Sequence, residues 1–214
     1  MPEKRRYSST LRSEQTALAR SRVLAAAEQL FLDRGYLGTT LAAIAGAAEV
    51  SVQTVYNVIG GKPAVLKAVY DVALAGDDEP IPLNDRPVYQ AIRAATDPRE
   101  CLTLYASVAR QIAERTNSLV RMARAQAAGG DKDLAEYLGT LDKELEFGSR
   151  AIAGHLQDRF GLRVDLETAT DIFWSINGSD LPDRLVNQRG WTWDHYETWL
   201  ANSLHDLLIA QPSG

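Results

Sequence analysis

Hydrophobic residues recur along most of the chain at the three- and four-residue spacing that is typical of amphipathic helices. Between residues 15 and 34 the apolar positions fall on one face of a helix: Val23, Leu24, Ala27, Leu30 and Phe31. Gly35 follows this stretch, and glycine suits the left-handed position that ends a helix. The pattern therefore predicts a first helix over residues 15–34.

Three more helices are predicted before residue 77, at about 41–48, 52–59 and 62–76. Thr40 and Ser51 precede the first two of them, and both residue types accept hydrogen bonds from the free N–H groups at a helix start. Gly60 and Gly61 end the middle helix, and Pro63 fits the first turn of the next one.

The stretch EVSVQTVYNVIGGK, residues 49–62, fits two periodicities. Every second residue is mostly apolar, as in a half-buried strand, but the helical spacing also aligns apolar residues. We see no second strand in the sequence, and an isolated strand has no partner for its backbone. The helical interpretation is therefore favoured, with Val55 and Ile59 in the core and Gln53, Thr54 and Asn57 on the other face. Val52 remains open between the two faces.

Residues 77–87 are acidic and contain prolines, which predicts a loop. After the loop the pattern is helical throughout, with helices expected at about 98–116, 118–128, 132–160, 165–177 and 193–210 and a short one near 182–187. The sequence thus predicts an all-α fold.

Composition and charge indicate which partners and which cellular compartment suit the chain. The chain has 214 residues and a net charge of −5. Residues 1–67 hold nine basic and five acidic residues, or +4, which leaves 14 basic and 23 acidic residues, or −9, for the remainder. Such a distribution predicts that only the N-terminal region meets a polyanion. The single Cys101 favours a structural role and a cytosolic location, and the absence of long apolar runs favours a protein without membrane contact.

The two short helices at 41–48 and 52–59 have the spacing of a helix-turn-helix unit. Counted from Leu41, a small residue occupies place 5 (Ala45), the turn is at place 9 (Glu49), and a branched residue occupies place 15 (Val55). The small residue allows the two helices to cross closely. In such units the second helix lies in the major groove of DNA.

The region RVLAAAEQLFLDRGYLGTTLAAIAGAAEVSVQTVYNVIGGKPAVL resembles the TetR family of transcriptional repressors. The resemblance covers about a quarter of the chain. The matching positions are Phe31, Gly35-Tyr36, Thr39-Thr40, Ile44-Ala45, Val50-Ser51, Thr54-Val55-Tyr56 and Lys62. Two positions depart from the family pattern, because Glu49 replaces the usual turn glycine and Ile59 replaces an aromatic residue. A left-handed backbone at Glu49 costs roughly 1–2 kcal/mol, unless the turn differs here.

The resemblance and the side-chain chemistry together predict the DNA contacts. Phosphate contacts are expected from three hydroxyls and one ammonium: Thr40, Ser51, Tyr56 and Lys62. Thr39 is also expected among the residues that contact DNA. Gln53 is expected to read adenine, Thr54 or Val52 a thymine methyl, and Asn57 a base or a phosphate. The basic arm EKRRYSSTLR either follows the DNA or is a solvated tail.

For the C-terminal region the resemblance implies a two-fold homodimer and a site for a small inducer of unknown identity. The predicted dimer interface is Ala169, Ile172, Phe173, Ile176, Tyr196, Leu200, Leu204 and Leu207, and the alternative is that these residues form the protomer's own core. The predicted ligand contacts are Tyr105, Met122, Tyr137, Trp174 and Asn177, each of which also suits a core position.

The sequence favours a regulator over an enzyme. The three histidines are scattered, and neither zinc-helix spacing, a phosphate loop nor a nucleophile elbow occurs. No catalytic residue, metal or cofactor is expected. We expect a DNA-binding domain at 1–62, a connecting helix at 63–76 and a helical ligand-binding and dimerisation domain at 77–214. The expected function is repression at a palindromic double-stranded DNA operator, with release by the inducer. The alternative is a helical interaction protein that keeps the fold without specific DNA binding.

Overall fold

The computed structural model describes the backbone of residues 3–209 and the side chains of residues 14–209. Its α-helices are α1 (Glu3–Arg34), α2 (Leu41–Ala47), α3 (Val52–Val58), α4 (Lys62–Ala75), α5 (Pro87–Ala94), α6 (Pro98–Ala127), α7 (Lys132–Phe160), α8 (Leu166–Asn177), α9 (Asp180–Pro182) and α10 (Trp193–Leu208). A 3₁₀ turn (Leu83–Asp85) precedes α5, and a π-helical turn (Asp183–Gln188) follows α9. Within the described residues there is no strand, which confirms the all-α fold. None of the helices described is both long and apolar enough to span a membrane.

The chain divides into two compact units. The first unit comprises Met1–Asp78 together with Ser118–Tyr137, which are the end of α6 and the start of α7. Its core is built where α1 packs against α2, α3 and α4, from fully buried side chains that include Phe31, Ile44 and Val55. These apolar residues share one face of their helices, as the sequence pattern predicts.

The second unit comprises Glu79–Asn117 and Leu138–Gly214. Its core gathers apolar side chains from α5, α6, α7, α8 and α10, among them Leu102, Leu156 and Phe173. Cys101 is fully buried in the same core, with its thiol directed at the carbonyl of Ile92 at 3.6 Å. Burial raises the pKa of Cys101 to about 11, because a thiolate is poorly solvated in apolar surroundings.

Three features of the fold differ from the predictions. α1 begins at Glu3, so the backbone of the basic arm continues this helix, while the side chains of residues 3–13 lie outside the described ones. The helices expected at 98–116 and 118–128 are a single helix, α6. Thr116 is buried within it and donates its hydroxyl proton to the carbonyl of Ile112 at 2.8 Å, a bond that lets threonine remain inside a helix. α5 was not predicted.

The first unit combines two separate stretches of the chain. Its first segment ends at Asp78, and residues 118–137 group with this N-terminal region. No local pattern in the sequence indicates this grouping, because the contacts join residues that are far apart in the chain.

Candidate nucleic-acid interface

One side-chain cap marks the start of each helix in the α2–α3 unit. The Ala43 N–H donates to the Thr40 hydroxyl oxygen at 3.1 Å, and the Thr54 N–H donates to the Ser51 hydroxyl oxygen at 3.0 Å. Both cap residues have extended backbone angles, as N-cap residues do. Each cap satisfies one of the four free N–H groups at the start of a helix that has only seven residues.

Glu49 occupies the turn between α2 and α3 in a left-handed conformation. Its φ is +54°, and it is the one non-glycine residue with positive φ in the part of the chain that the structure describes. The turn therefore keeps the geometry for which the family pattern uses glycine. The Glu49 carboxylate accepts a hydrogen bond from the guanidinium of Arg22 on α1, so its charge has a partner within the unit.

The outer face of α3 presents four exposed side chains. Gln53 and Asn57 are exposed and lie one helical turn apart, and Gln53 Nε2 donates to Asn57 Oδ1 at 2.9 Å. Tyr56 is 52% exposed and Val52 is 38% exposed. The sequence left open whether Val52 lies in the core or on the outer face, and the structure places it on the outer face. Val55 is the fully buried residue of α3.

Besides the cap hydroxyls of Thr40 and Ser51, two further hydroxyls of the predicted contact set are engaged inside the protein. Thr54 is half-buried, and its hydroxyl lies 2.8 Å from that of Ser51. Thr39 is fully buried, with its hydroxyl 2.7 Å from the carbonyl oxygen of Gly35 and 3.0 Å from that of Leu30. The prediction that Thr39 contacts DNA is therefore wrong for its side chain. Of the threonine pair, only Thr40 is exposed.

Lys62 links the start of α4 to the segment between α1 and α2. Its ammonium donates to the carbonyl oxygens of Tyr36 at 3.0 Å and Thr39 at 3.2 Å, and it lies 4.0 Å from the centre of the Tyr36 ring. Two of its three N–H groups are thus used within the unit. Lys62 therefore stabilises the domain as well as contributing charge.

Three residues from the end of α6 and the start of α7 contact the same segment, and the sequence analysis did not identify this role for any of them. The Tyr36 N–H points at Met122 Sδ at 3.3 Å, the Leu37 N–H donates to Gln126 Oε1 at 2.9 Å, and the Tyr36 hydroxyl donates to Asp133 Oδ2 at 3.1 Å. Burial, followed by the hydrogen bond to Asp133, raises the pKa of Tyr36. These residues are 86 to 97 positions apart in the chain, so no local spacing predicts their contact.

The predicted ligand residues fall in different units. Met122 and Tyr137 belong to the first unit, where the Tyr137 ring packs against that of Tyr70 with centroids 6.1 Å apart. Tyr105, Trp174 and Asn177 belong to the second unit. The structure thus does not bring the five together within one unit.

Within the second unit, Tyr105 and Asn177 form a direct pair. Asn177 Nδ2 donates to the Tyr105 hydroxyl oxygen at 2.6 Å, and the Tyr105 ring packs edge-on against Phe173 at 5.1 Å. Burial raises the pKa of Tyr105, so the phenol stays neutral. An open depression of about 320 Å³ is found instead between α1 and α2, lined by small residues such as Ala25, Ala26 and Ala47 with Arg22 at its edge.

Most of the predicted dimer residues are core residues of the protomer. Ala169, Phe173, Tyr196, Leu200 and Leu204 are at most 2% exposed within a single chain. Their prediction as interface residues is wrong, because their side chains are already covered by the protomer's own helices. Ile172 and Ile176 are half-buried, while Trp174 and Leu207 are exposed. Exposed apolar side chains thus remain on both α8 and α10.

The geometry defines the class of protein. A capped α2–turn–α3 unit on a small helical core, with a polar outer face on its second helix, is the arrangement of helix-turn-helix DNA-binding proteins. Residues 23–69 match the family model described as bacterial regulatory proteins, tetR family. Over residues 23–69 the chain therefore carries the helix-turn-helix domain of TetR-family transcriptional regulators.

Solved structures share this fold along most of the chain. A provisionally assigned TetR-family transcriptional regulator from Syntrophomonas wolfei matches with a TM-score of 0.65 at 17% identity, covering 87% of this chain and 92% of that one. The fatty acid degradation regulator FadR from Bacillus halodurans matches with a TM-score of 0.58 at 16% identity, covering 86% and 93%. No curated protein matches the sequence. At these identities the likeness establishes the fold.

Proposed function

We propose that the protein is a ligand-responsive repressor that binds a palindromic DNA operator as a homodimer. The observation that carries the proposal is the outer face of α3, where Val52, Gln53, Tyr56 and Asn57 are all exposed beside the Ser51 cap. In this proposal Gln53 reads adenine with its amide, and Val52 meets a thymine methyl. The hydroxyls of Thr40, Ser51 and Tyr56 contact phosphates and set the register on the duplex.

Charge supports a role for the start of α1 in DNA affinity. Residues 14–78 carry five basic and seven acidic side chains, or −2, whereas residues 1–13 carry four basic and one acidic, or +3. Phosphate attraction depends on lysine and arginine near the backbone. In the proposal this attraction therefore comes from the start of α1, from the remaining N–H of Lys62 and from the N-termini of α2 and α3.

A homodimer follows from the geometry of operator binding. Two α3 helices in successive major grooves of one DNA face must be about 34–36 Å apart, which requires two copies of the chain. The exposed Trp174 of α8 and Leu207 of α10, with the half-buried Ile172 and Ile176, supply apolar surface for this contact.

The inducer is proposed to act on the second unit, beside the Tyr105–Asn177 pair. Opening of this hydrogen bond would offer a phenol and an amide within an otherwise apolar core, which is the composition of small-molecule sites. Fatty acids are the first probes to test, because one solved protein of this fold is named for fatty acid degradation.

Selection of bound duplexes from a random pool tests the DNA-binding proposal. The expected result is an enriched two-fold symmetric sequence. Gln53→Ala should relax the preference at one symmetric base pair, whereas Gln29→Ala should leave it unchanged. Gln29 is a matched control, since it is also exposed and also makes an i, i+4 side-chain hydrogen bond, to Asp33. If the wild-type chain enriches no sequence even at low salt, the alternative of a helical protein without specific DNA binding is the better description.

A further inference from the structure

The segment that joins α1 to α2, residues 35–40, is held by side chains that lie far from the outer face of α3 in the sequence. We propose that Gln126 and Asp133 are positioning residues for DNA binding. They hold this α1–α2 loop, and through it α2 and α3, in the arrangement that binds the operator, without touching DNA themselves. The inference rests on the proposed function and adds residues that determine how well the same site works.

The contacts are specific and come from two helices. Gln126, near the end of α6, accepts the Leu37 N–H at 2.9 Å, and Asp133, in the first turn of α7, accepts the Tyr36 hydroxyl proton at 3.1 Å. The Gln126 amide also lies against Gly35, where a Cβ atom would come within 1.8 Å of its Nε2. Gly35 has a φ of +72°. The loop therefore has both the backbone conformation and the free space that this contact requires.

The same loop determines where α2 and α3 lie. Its carbonyls at Tyr36 and Thr39 bind the Lys62 ammonium, the Thr39 hydroxyl is directed back at the end of α1, and Thr40 caps α2. Helices of seven residues are too short to be stable alone, so packing and caps determine their position. A displaced α1–α2 loop would thus displace α2 and, through the tight turn at Glu49, α3.

The bond between Gln126 and Leu37 is exposed to solvent. Water replaces an exposed hydrogen bond at little cost, in contrast to a buried one. Loss of the Gln126 amide should therefore leave the protein folded while it frees the loop to move. This difference separates a positioning role from a purely structural one, because operator affinity should fall more than stability does.

The test compares full-length variants in binding to the selected operator and to a duplex of scrambled sequence, by fluorescence anisotropy at one salt concentration. Gln126→Ala and Asp133→Ala should each weaken operator binding at least about five-fold, the lower end of typical coupling between sites, with scrambled-duplex binding changed less than two-fold. Loss of a carboxylate by itself strengthens binding to a polyanion. Weaker binding by Asp133→Ala therefore cannot be attributed to charge alone.

Three controls make the test specific. Asp133→Asn keeps an oxygen that can accept the Tyr36 proton and should bind the operator within two-fold of wild type. Asp142→Ala removes the same charge from α7 at an exposed position that makes no hydrogen bond or ion pair within the described residues, and it should not weaken binding. Tyr36→Phe keeps the ring stacked on Phe31 but removes the donor, so it should weaken binding no further when combined with Asp133→Ala.

The two possible failures are distinguishable. If wild-type protein binds the operator selectively while Gln126→Ala and Asp133→Ala bind it equally well, the positioning role is refuted and the proposed function stands. Additive effects of Tyr36→Phe and Asp133→Ala would also refute it. If wild-type protein shows no selectivity, the proposed function fails and the inference fails with it. Far-UV circular dichroism establishes that each variant is folded, and Asp133→Asn and Tyr36→Phe provide the test should an alanine variant not fold.

Discussion

Replacement of Glu49 tests whether the helix-turn-helix turn stores strain. Glu49 has a φ of +54°, a region that costs an L-residue roughly 1–2 kcal/mol and that glycine enters freely. Glu49→Ala keeps this cost and removes the carboxylate that pairs with Arg22. Glu49→Gly also removes the pair but relieves the strain. The comparison of the two variants thus isolates the backbone contribution.

The expected magnitudes follow from the exposure of the pair and from the backbone angle. The Arg22 and Glu49 side chains are 42% and 81% exposed, and exposed ion pairs contribute about 0.2–1 kcal/mol. Glu49→Ala should therefore lower the free energy of unfolding by that amount. Glycine also gives the unfolded chain more conformational entropy, which lowers the free energy of unfolding by about 0.4–1 kcal/mol. This loss cancels part of the stability gained when the strain is relieved. Glu49→Gly should accordingly be more stable than Glu49→Ala by about 1 kcal/mol.

Urea unfolding followed by circular dichroism at 222 nm is the suitable assay. The four tryptophans lie at positions 174, 191, 193 and 199, outside the unit that contains Glu49, so their fluorescence does not report on the turn directly. Arg22→Ala, alone and combined with Glu49→Ala, measures the pair separately. A Glu49→Ala variant as stable as Glu49→Gly would refute the reasoning that the turn is strained.

Four further predictions concern the same unit. Ser51→Ala should lower the free energy of unfolding by about 0.5–2 kcal/mol through loss of the α3 cap, measured by the same urea titration. Gly35→Ala should destabilise by the roughly 1–2 kcal/mol of a left-handed alanine, and its Cβ should push the flexible end of the Gln126 side chain off the loop; an unchanged midpoint would contradict the observed loop geometry. Lys62→Ala should weaken binding to all duplexes and reduce the slope of log affinity against log salt by about one. An unchanged slope would contradict its phosphate role, whatever additional operator affinity is lost because Lys62 also holds the α1–α2 loop. Deletion of residues 2–12 should reduce that slope further than Lys62→Ala does, as measured by anisotropy titrations at several salt concentrations.

Local chemistry made the helix boundaries of the first unit predictable. The side chains of Thr40 and Ser51 cap α2 and α3 as expected, and Gly76 ends α4 with a φ of +92°. Each of these signals depends on a residue and its nearest neighbours in the chain. The prediction that a helix ends at residue 116 is wrong, because a polar residue inside a helix can form a hydrogen bond to the backbone of the preceding turn, as Thr116 does.

Properties that depend on distant partners were not predictable. Val52 and Val55 both fit an apolar stripe in a helix of two turns, and only the packing of α1 and α2 against α3 decides that Val55 is the buried one. The stripe of Tyr196, Leu200 and Leu204 shows that α10 has a covered face. It does not show whether the protomer or a second copy covers it. Tyr36 and Asp133 meet across 97 positions, which leaves no trace in local spacing.

The burial of Cys101 has a practical consequence for spectroscopy. At a pKa of about 11, only about one thiol in ten thousand is ionised at pH 7, and the thiolate is the form that reacts with maleimides and disulfide reagents. It is also the only cysteine in the chain. A cysteine introduced at an exposed position outside the outer face of α3, such as Leu32 on α1, would therefore take up a spin label or fluorophore selectively, with no need to replace the native thiol. The distance between two such labels in the proposed dimer could then be measured directly with and without DNA.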